Sequence, residues 1–591
     1  MKKLLSLVLL ISVVALSGCS GSSGSSSPLS GDPGTPENPE GAEKISVSLT
    51  STFTTMLAET DYSISWSVTN GDNIDTPAVV EYLSGATWFS IGETTEKTLV
   101  WTLPDERLED VQVRVMYNND VEQSETSNAF RILKWEFPEA LTETLTIGDD
   151  YSVNSKIAIS ANGDAIAVWS QDIGCCYNIY KSEYRNGNWT HPADTDDVFS
   201  ITSGTDQLDA VMPEVAMNND GDAVVAWVQY DNAGFYRRLY ARTCIDGIWS
   251  AKPAFSEYLS PVAPVNPEKI KVSIDNNDNA IIAYQMKSGS YDQIYKSEFR
   301  SSIWTQPLPA EYLAPSINYD ATNPQVAMDN NGNVVIAWLQ EYSPGKHCIL
   351  KTEYRGSSWT DPLDVTTDNA IKIDGTSNSE HIGLAMSDHG NAIITWVNRD
   401  KSSSDKSVLI SEYKSNAWTM PTTASSPFYQ TGSKEIVTLK VSMNASGDAI
   451  LAWAENTDAS TEEIVYSSIY TASSDTWSNS GALSLDSYID GEQNKNIAVG
   501  IDNWGNAYVF WVQKLDDTAT DPDDYPRLFK AQYNGIDSSW SIPGDMVDDQ
   551  VSVIQAGNMP NCSLPYLSVS PHGDAFVTWK QNNKIIVGQL K

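Results

Sequence analysis

Positive charge is what this 591-residue sequence has least of: 37 lysines and arginines stand against 77 aspartates and glutamates, a formal net charge of −40. Nucleic acid is excluded as a partner, and so is adsorption to anionic lipid through surface charge, because both need a basic face. The plain consequence of such acidity is solubility, and the sharper one is a cationic partner or bound calcium. Histidine and cysteine are scarce as well, with five and six copies. His191, His347, His381, His389 and His572 have no metal-ligand spacing, and the cysteines are too scattered for a disulfide framework or a zinc site. There is no phosphate-binding loop and no dinucleotide fingerprint. After the first twenty residues no apolar run is long enough to cross a bilayer.

What the sequence has is a repeat. The stretch from Asn323 to Pro362, NPQVAMDNNGNVVIAWLQEYSPGKHCILKTEYRGSSWTDP, recurs in variant form eight times from about residue 155 onward. Each unit opens on a short apolar run centred on a small residue: Ala158, Ala216, Ser273, Ala327, Ala385, Ser442, Gly500 or Ser568. Five residues later stands Gly163, Gly221, Gly332, Gly390, Gly447, Gly505 or Gly573, with Asp278 in the third unit. A glycine fixed between two apolar runs predicts a tight hairpin whose last loop residue has positive φ, and Asp tolerates that region better than most residues. Six residues on come Trp169, Trp227, Tyr284, Trp338, Trp396, Trp453, Trp511 and Trp579, closing runs that are apolar on both faces and so covered on both sides. A third, alternating run follows, and then a second tryptophan: Trp189, Trp249, Trp304, Trp359, Trp418, Trp477 or Trp540.

That second series is one short. The eighth unit stops at Lys591 before its own outer tryptophan, whereas Trp135 stands unclaimed upstream of the first unit. The expected fold is therefore all-β: an eight-bladed β-propeller of four-stranded blades over residues 133–591, closed by an N-terminal strand that completes the last blade.

The first residues, MKKLLSLVLLISVVALSGC, combine two lysines, an apolar core and the box Leu16-Ser17-Gly18-Cys19. They resemble the signal of bacterial lipoproteins. The resemblance implies a signal peptide at 1–18, lipid on Cys19 as the only membrane contact, and, from Ser20, an outer-membrane or cell-surface address. Residues 19–43, rich in Ser, Gly and Pro, read as a disordered tether reaching roughly 25–30 Å. Residues 44–132 read as short alternating strands of a small β-sandwich. Trp66 and Trp88 there resemble the core aromatics of immunoglobulin-like and fibronectin type III-like modules, which implies a spacer.

Candidate chemistry concentrates just after the second strand. Two residues past its tryptophan stand Gln171, Gln229, Gln285, Gln340, Asn398, Glu455, Gln513 and Gln581. Structurally they would satisfy the adjoining loop; functionally they would form a ring of donors and acceptors at the channel mouth, with Glu455 its charged member. Asp231, Glu341 and Asp400, with Tyr230 and Tyr342, follow in the same loops and suit a basic ligand or sugar stacking. Asp516, Asp517, Asp521, Asp523 and Asp524 form the one loop acidic enough for calcium, and no other cofactor is expected. Cys176 and Cys562 fall in loops of adjacent blades on one face, so a bridge across the closure seam is expected, with a vicinal Cys175–Cys176 bond as its rival.

The hairpins resemble the sialidase Asp-box only distantly, since the tryptophan falls six rather than three residues after the glycine and no arginine triad is present. The main expectation is thus a lipid-anchored surface protein that binds a glycan or a protein. The alternative is a carbohydrate-active hydrolase or lyase whose acid and base come from different blades.

Overall fold

A computed structural model describes residues 45–591 apart from 70–75, 149, 202–207, 232–234, 316–317, 363–369, 372–376, 401–404, 420–427, 433, 457–462, 485–496, 515–524, 545–548 and 555–560. Cys19 and the five aspartates between 516 and 524 lie outside the described residues.

Each repeat folds as one antiparallel sheet whose strands follow chain order. In the first, Ser152–Ile159 pairs Ala165–Asp172, which pairs Tyr177–Arg185, which pairs Asn188–Thr190. The second strand is buried along nearly its whole length, as expected for a strand apolar on both faces. The hairpin glycines hold φ between 77° and 95°, and Asp278 takes φ 62° in the position where the glycine is missing. Among the described residues eight such sheets succeed one another, an all-β array of the β-propeller kind. The first strand of each lies beside the first strand of the next, and Cys562–Val569 of the eighth lies beside Ser152–Ile159 of the first. The eighth sheet takes its fourth strand from Trp135–Glu136, with Trp135 opposite Leu590.

The outer tryptophans join consecutive sheets. Trp249 Nε1 donates to Glu183 Oε1 of the preceding repeat at 2.8 Å, and Trp359–Glu298, Trp418–Glu353 and Trp477–Glu412 repeat the bond at 2.9, 2.8 and 3.1 Å. The ammonium groups of Lys181, Lys296 and Lys351 lie over the same indoles. Trp249, Trp359 and Trp418 thus have an acceptor at the edge and a cation on the face, and Trp477 an acceptor at its edge, so these four indoles fill the wedge between sheets with their N–H groups paired.

Upstream of the repeats lie two further sheets. One joins Ser46–Leu49, Asp61–Thr69 and Thr98–Thr102; the other is built on Ala78–Ser84, Leu108–Met116 and Phe130–Leu133. Their shared core holds Trp66 and Trp101. Trp88 does not belong to it: its ring stacks under Arg114 at 4.1 Å on the outside, so Trp101 takes the place expected of it. This module abuts the hairpin-turn end of the last repeats. Arg131 donates to the His572 carbonyl at 2.5 Å and pairs with Asp574 at 3.4 Å, and Ala58 N donates to the carbonyl of Leu133, two residues before Trp135.

The expected Cys176–Cys562 bridge is not formed. Cys176 Sγ lies 3.0 Å from Cys175 Sγ, whereas Cys562 is buried with its sulfur 3.7 Å from Gln581 Oε1. The five described cysteines are free thiols. The seam is held by backbone pairing and by Trp135 packed edge-on to Phe510 instead.

Candidate functional site

Four members of the expected glutamine ring act as structural clamps. Trp169 Nε1 donates to Gln171 Oε1 at 3.1 Å, and Trp227–Gln229, Trp338–Gln340 and Trp511–Gln513 repeat the bond at 3.0, 3.1 and 3.0 Å. The other end of each amide is also engaged where Gln171 Nε2 donates to the Ile147 carbonyl and Gln229 Nε2 to that of Ile201. All four side chains are buried, so the alternation of the strand turns them inward, away from any mouth. Glu455 is buried too and pairs with Lys434 at 3.3 Å. Asp231 pairs with Arg238 at 3.4 Å, Glu341 accepts from Gly345 N at 2.7 Å, and Asp400 N donates to the Asp405 carbonyl at 2.8 Å. Tyr230 lies under Arg237, and Tyr342 packs on the core of the fourth repeat. The structure does not bring these residues to one point.

It brings others together. In the first strand of most repeats an extra residue interrupts pairing with the second strand, for instance between Val153 and Lys156, Val211 and Glu214, Glu268 and Lys271, and Ser563 and Tyr566. At these bulges Asn154, Met212, Lys269, Asn323, His381 and Leu564 hold positive φ, between 43° and 57°. A bulge bends its strand and re-aims the residues beyond it. Two residues past the positive-φ position come Lys156, Glu214, Lys271, Gln325, Gly383 and Tyr566; Lys440 and Ala498 occupy the corresponding register in the sixth and seventh repeats.

These positions face a single space. Lys156, Glu214, Lys271, Gln325, Lys440 and Tyr566 line one cavity of about 350 Å³ to which the first strands of all eight repeats contribute. Towards the start of those strands it shares walls with a second cavity of about 450 Å³, rimmed by Asn154, Lys269 and Asn323. Three lysines and one glutamate thus occupy the middle of a protein of net charge −40.

Glu214 is buried and bridges two of the lysines, with Oε1 at 2.9 Å from Lys271 Nζ and 3.4 Å from Lys156 Nζ. Burial alone would raise its pKa; the two ammonium groups outweigh that and hold the carboxyl below its ordinary value. Lys156 also lies over the Tyr566 ring at 4.4 Å. Burial pushes the Tyr566 phenol up to about 12, so it stays protonated and can donate. Lys440 makes no ion pair among the described residues; its side chain is exposed within the cavity although protein surrounds it. Loss of bulk hydration, and then the like charges of Lys271 and Lys156, lower it to about 8.

At the opposite end of the first strands the hairpin turns bond to one another. Ala161 N donates to the Asn219 carbonyl, Asn219 N to Asn276 Oδ1, Ala445 N to Asn503 Oδ1 and Asn503 N to the Pro571 carbonyl. Asn219 Nδ2 also donates to Asp388 Oδ2, from the second repeat to the fifth, at 3.3 Å. Chemically the arrangement is a polar cavity with excess positive charge, a lysine that has no ion pair among the described residues, and a phenol donor, suited to receive an anion.

No family model matches the chain, and no curated protein does. Among solved structures it is similar to a protein of unknown function from Dyadobacter fermentans, at 10% identity and TM-score 0.34, over 76% of this chain and 97% of that one. It is similar to an ulvan lyase, a polysaccharide lyase, at 11% identity and TM-score 0.37, over 75% of this chain and 94% of that one. An α-L-arabinofuranosidase from Podospora anserina is similar at 13% identity and TM-score 0.26, over 46% of this chain and 91% of that one.

Proposed function

We propose that this chain is a binding protein built on an eight-bladed propeller, residues 133–591, that takes an anionic ligand into its central channel. One observation carries the reading: Lys440, which makes no ion pair among the described residues, shares a cavity with the Lys156–Glu214–Lys271 cluster in a protein otherwise dominated by negative charge. Walls with an excess of one sign of charge focus the field, so an anion would be drawn inward past an acidic exterior. Blade number and closure are supported by the eight sheets, by the Trp135–Leu590 pairing and by the contact of the first and last inner strands. The module of residues 44–132 is read as a spacer: it sits at the turn end, which leaves the opposite mouth unobstructed by it. With lipid on Cys19 and a tether over 19–43, the mouth would face away from an outer membrane, towards a glycan or protein ligand.

Binding of sulfated maltoheptaose and of neutral maltoheptaose, measured by calorimetry for the wild type and for Lys271→Gln/Lys440→Gln, tests this. Binding confined to the anionic sugar and weakened about tenfold or more in the variant is expected. Equal affinity for the neutral sugar sinks the reading. The anchor is tested separately: Cys19→Ala should release the protein from membranes.

A second reading is lyase chemistry on an acidic glycan. It is favoured by Lys440, whose pKa of about 8 suits a general base at neutral pH, in one cavity with the Tyr566 phenol and with cations able to neutralise a carboxylate. Appearance of an unsaturated uronate product, lost in Lys440→Met, would establish it.

A further inference from the structure

Building on that reading, we infer that the channel is blind and takes the end of an acidic glycan chain, inserted mouth-first, not a stretch from its middle. The mouth is the end where Asn154, Met212, Lys269 and Asn323 form the rim. Beneath it comes the charged layer of Lys156, Glu214, Lys271 and Lys440, and beneath that an apolar wall that includes Val215, Val326 and Val441. The other end is crossed. In a ring of eight, the second and fifth blades are not neighbours, so the 3.3 Å bond from Asn219 to Asp388 requires their turns to converge over the axis. The turn-to-turn bonds of Ala161, Asn219, Ala445 and Asn503, with that from Asn277 Nδ2 to the Asn330 carbonyl, draw the remaining hairpins into the same floor. A chain could not thread through, and a charged group could not descend below the lysines without losing its counter-charge in the apolar wall.

The walls favour a sugar over a peptide. Around the lysines stand the carboxamides of Asn154, Asn323 and Gln325 and the phenol ring of Tyr566. Carboxamides donate and accept together, as vicinal hydroxyls require, and an aromatic face stacks on a pyranose ring. The two joined cavities, about 450 and 350 Å³, have room for one or two sugar units and no more of a chain. A uronate carboxylate and a sulfate ester offer the same chemistry to the lysines.

The test compares linear sulfated maltoheptaose with sulfated β-cyclodextrin, which has the same seven sugars and no end, and compares tetragalacturonate with long polygalacturonate. Calorimetry is expected to give one protein per linear chain whatever its length, an affinity per chain that changes less than about threefold with length, and no competition from the cyclic sugar. Whether sulfate or carboxylate is preferred separates the two sources of anion. Equal binding of the cyclic sugar, or several proteins along one long chain, overturns end insertion but leaves anion binding intact. Preference for a peptide with a free terminal carboxylate over every glycan overturns the sugar assignment. No binding of any anion removes the proposed function itself.

Discussion

Lys440 concentrates the conflict between folding and binding. Its folded pKa of about 8 lies below the ordinary lysine value of 10.5, so the protonated side chain opposes folding. That opposition is complete below pH 8 and fades as pH rises from about 8 to about 10.5, where the unfolded chain still holds the proton that the folded one has released. Lys440→Met should therefore raise Tm at pH 7, with a gain that shrinks towards pH 10, while anion affinity falls about tenfold. The groups facing Lys440 across the channel are Lys156, Lys271 and Glu214, with His381 on the adjoining strand, and only the lysines push in the direction described. Gln229 is a contrasting residue, with its whole side chain spent on Trp227 and the Ile201 carbonyl. Gln229→Leu should cost about 1–3 kcal/mol in urea denaturation, the cost of buried groups left unpaired, with anion binding unchanged.

At the scale of the element, the inner-strand bulge decides where the chemistry goes. A regular strand would hold its alternation from end to end; the extra residue re-aims Lys156, Glu214 and Lys271 relative to the residues before it. Non-glycine residues at positive φ carry a cost that function, and not stability, accounts for. Lys269, exposed at φ 51°, tests this: Lys269→Gly should stabilise the chain by up to about 1 kcal/mol in a melt, because glycine holds that conformation without the Cβ clash. The bulge also explains what sequence reading could and could not see. Gly163 and its equivalents announced a hairpin, and the Trp169 series a buried second strand, because both signals are local and repeat in register. The recurrence of Gln171 and its equivalents suits a structural or a functional role alike in the sequence, and the bond from the indole two residues earlier shows only in the fold. Lys156, Glu214, Lys271, Gln325, Lys440 and Tyr566 all stand two residues before the small residue of their unit, which was the one signal available. Taken singly, each reads as a polar residue alternating towards solvent; only the packing of eight inner strands makes them one cavity.

At the scale of the molecule, Trp135 lies upstream of the repeats and pairs with their last strand. It pairs with Leu590, packs on Phe510, and follows the last strand of the upstream module almost at once. Trp135→Ala should cost about 3–5 kcal/mol, as loss of a buried tryptophan does, and leave Lys584–Leu590 an open edge. Light scattering should then show concentration-dependent association that the wild type lacks. The acidic exterior and the cationic channel further imply that anion binding weakens with salt, since the ligand must cross a rim screened within about 10 Å at 0.1 M.

The most direct test of the account is the titration of Lys440 itself, followed by NMR of ¹³C-methylated lysines with Lys440→Arg to assign the signal, in the presence and absence of sulfated maltoheptaose. A midpoint near pH 8 that moves upward when the sugar binds is the expected result. A midpoint at the ordinary lysine value, indifferent to the sugar, would contradict the claim that this channel is a charged receptor.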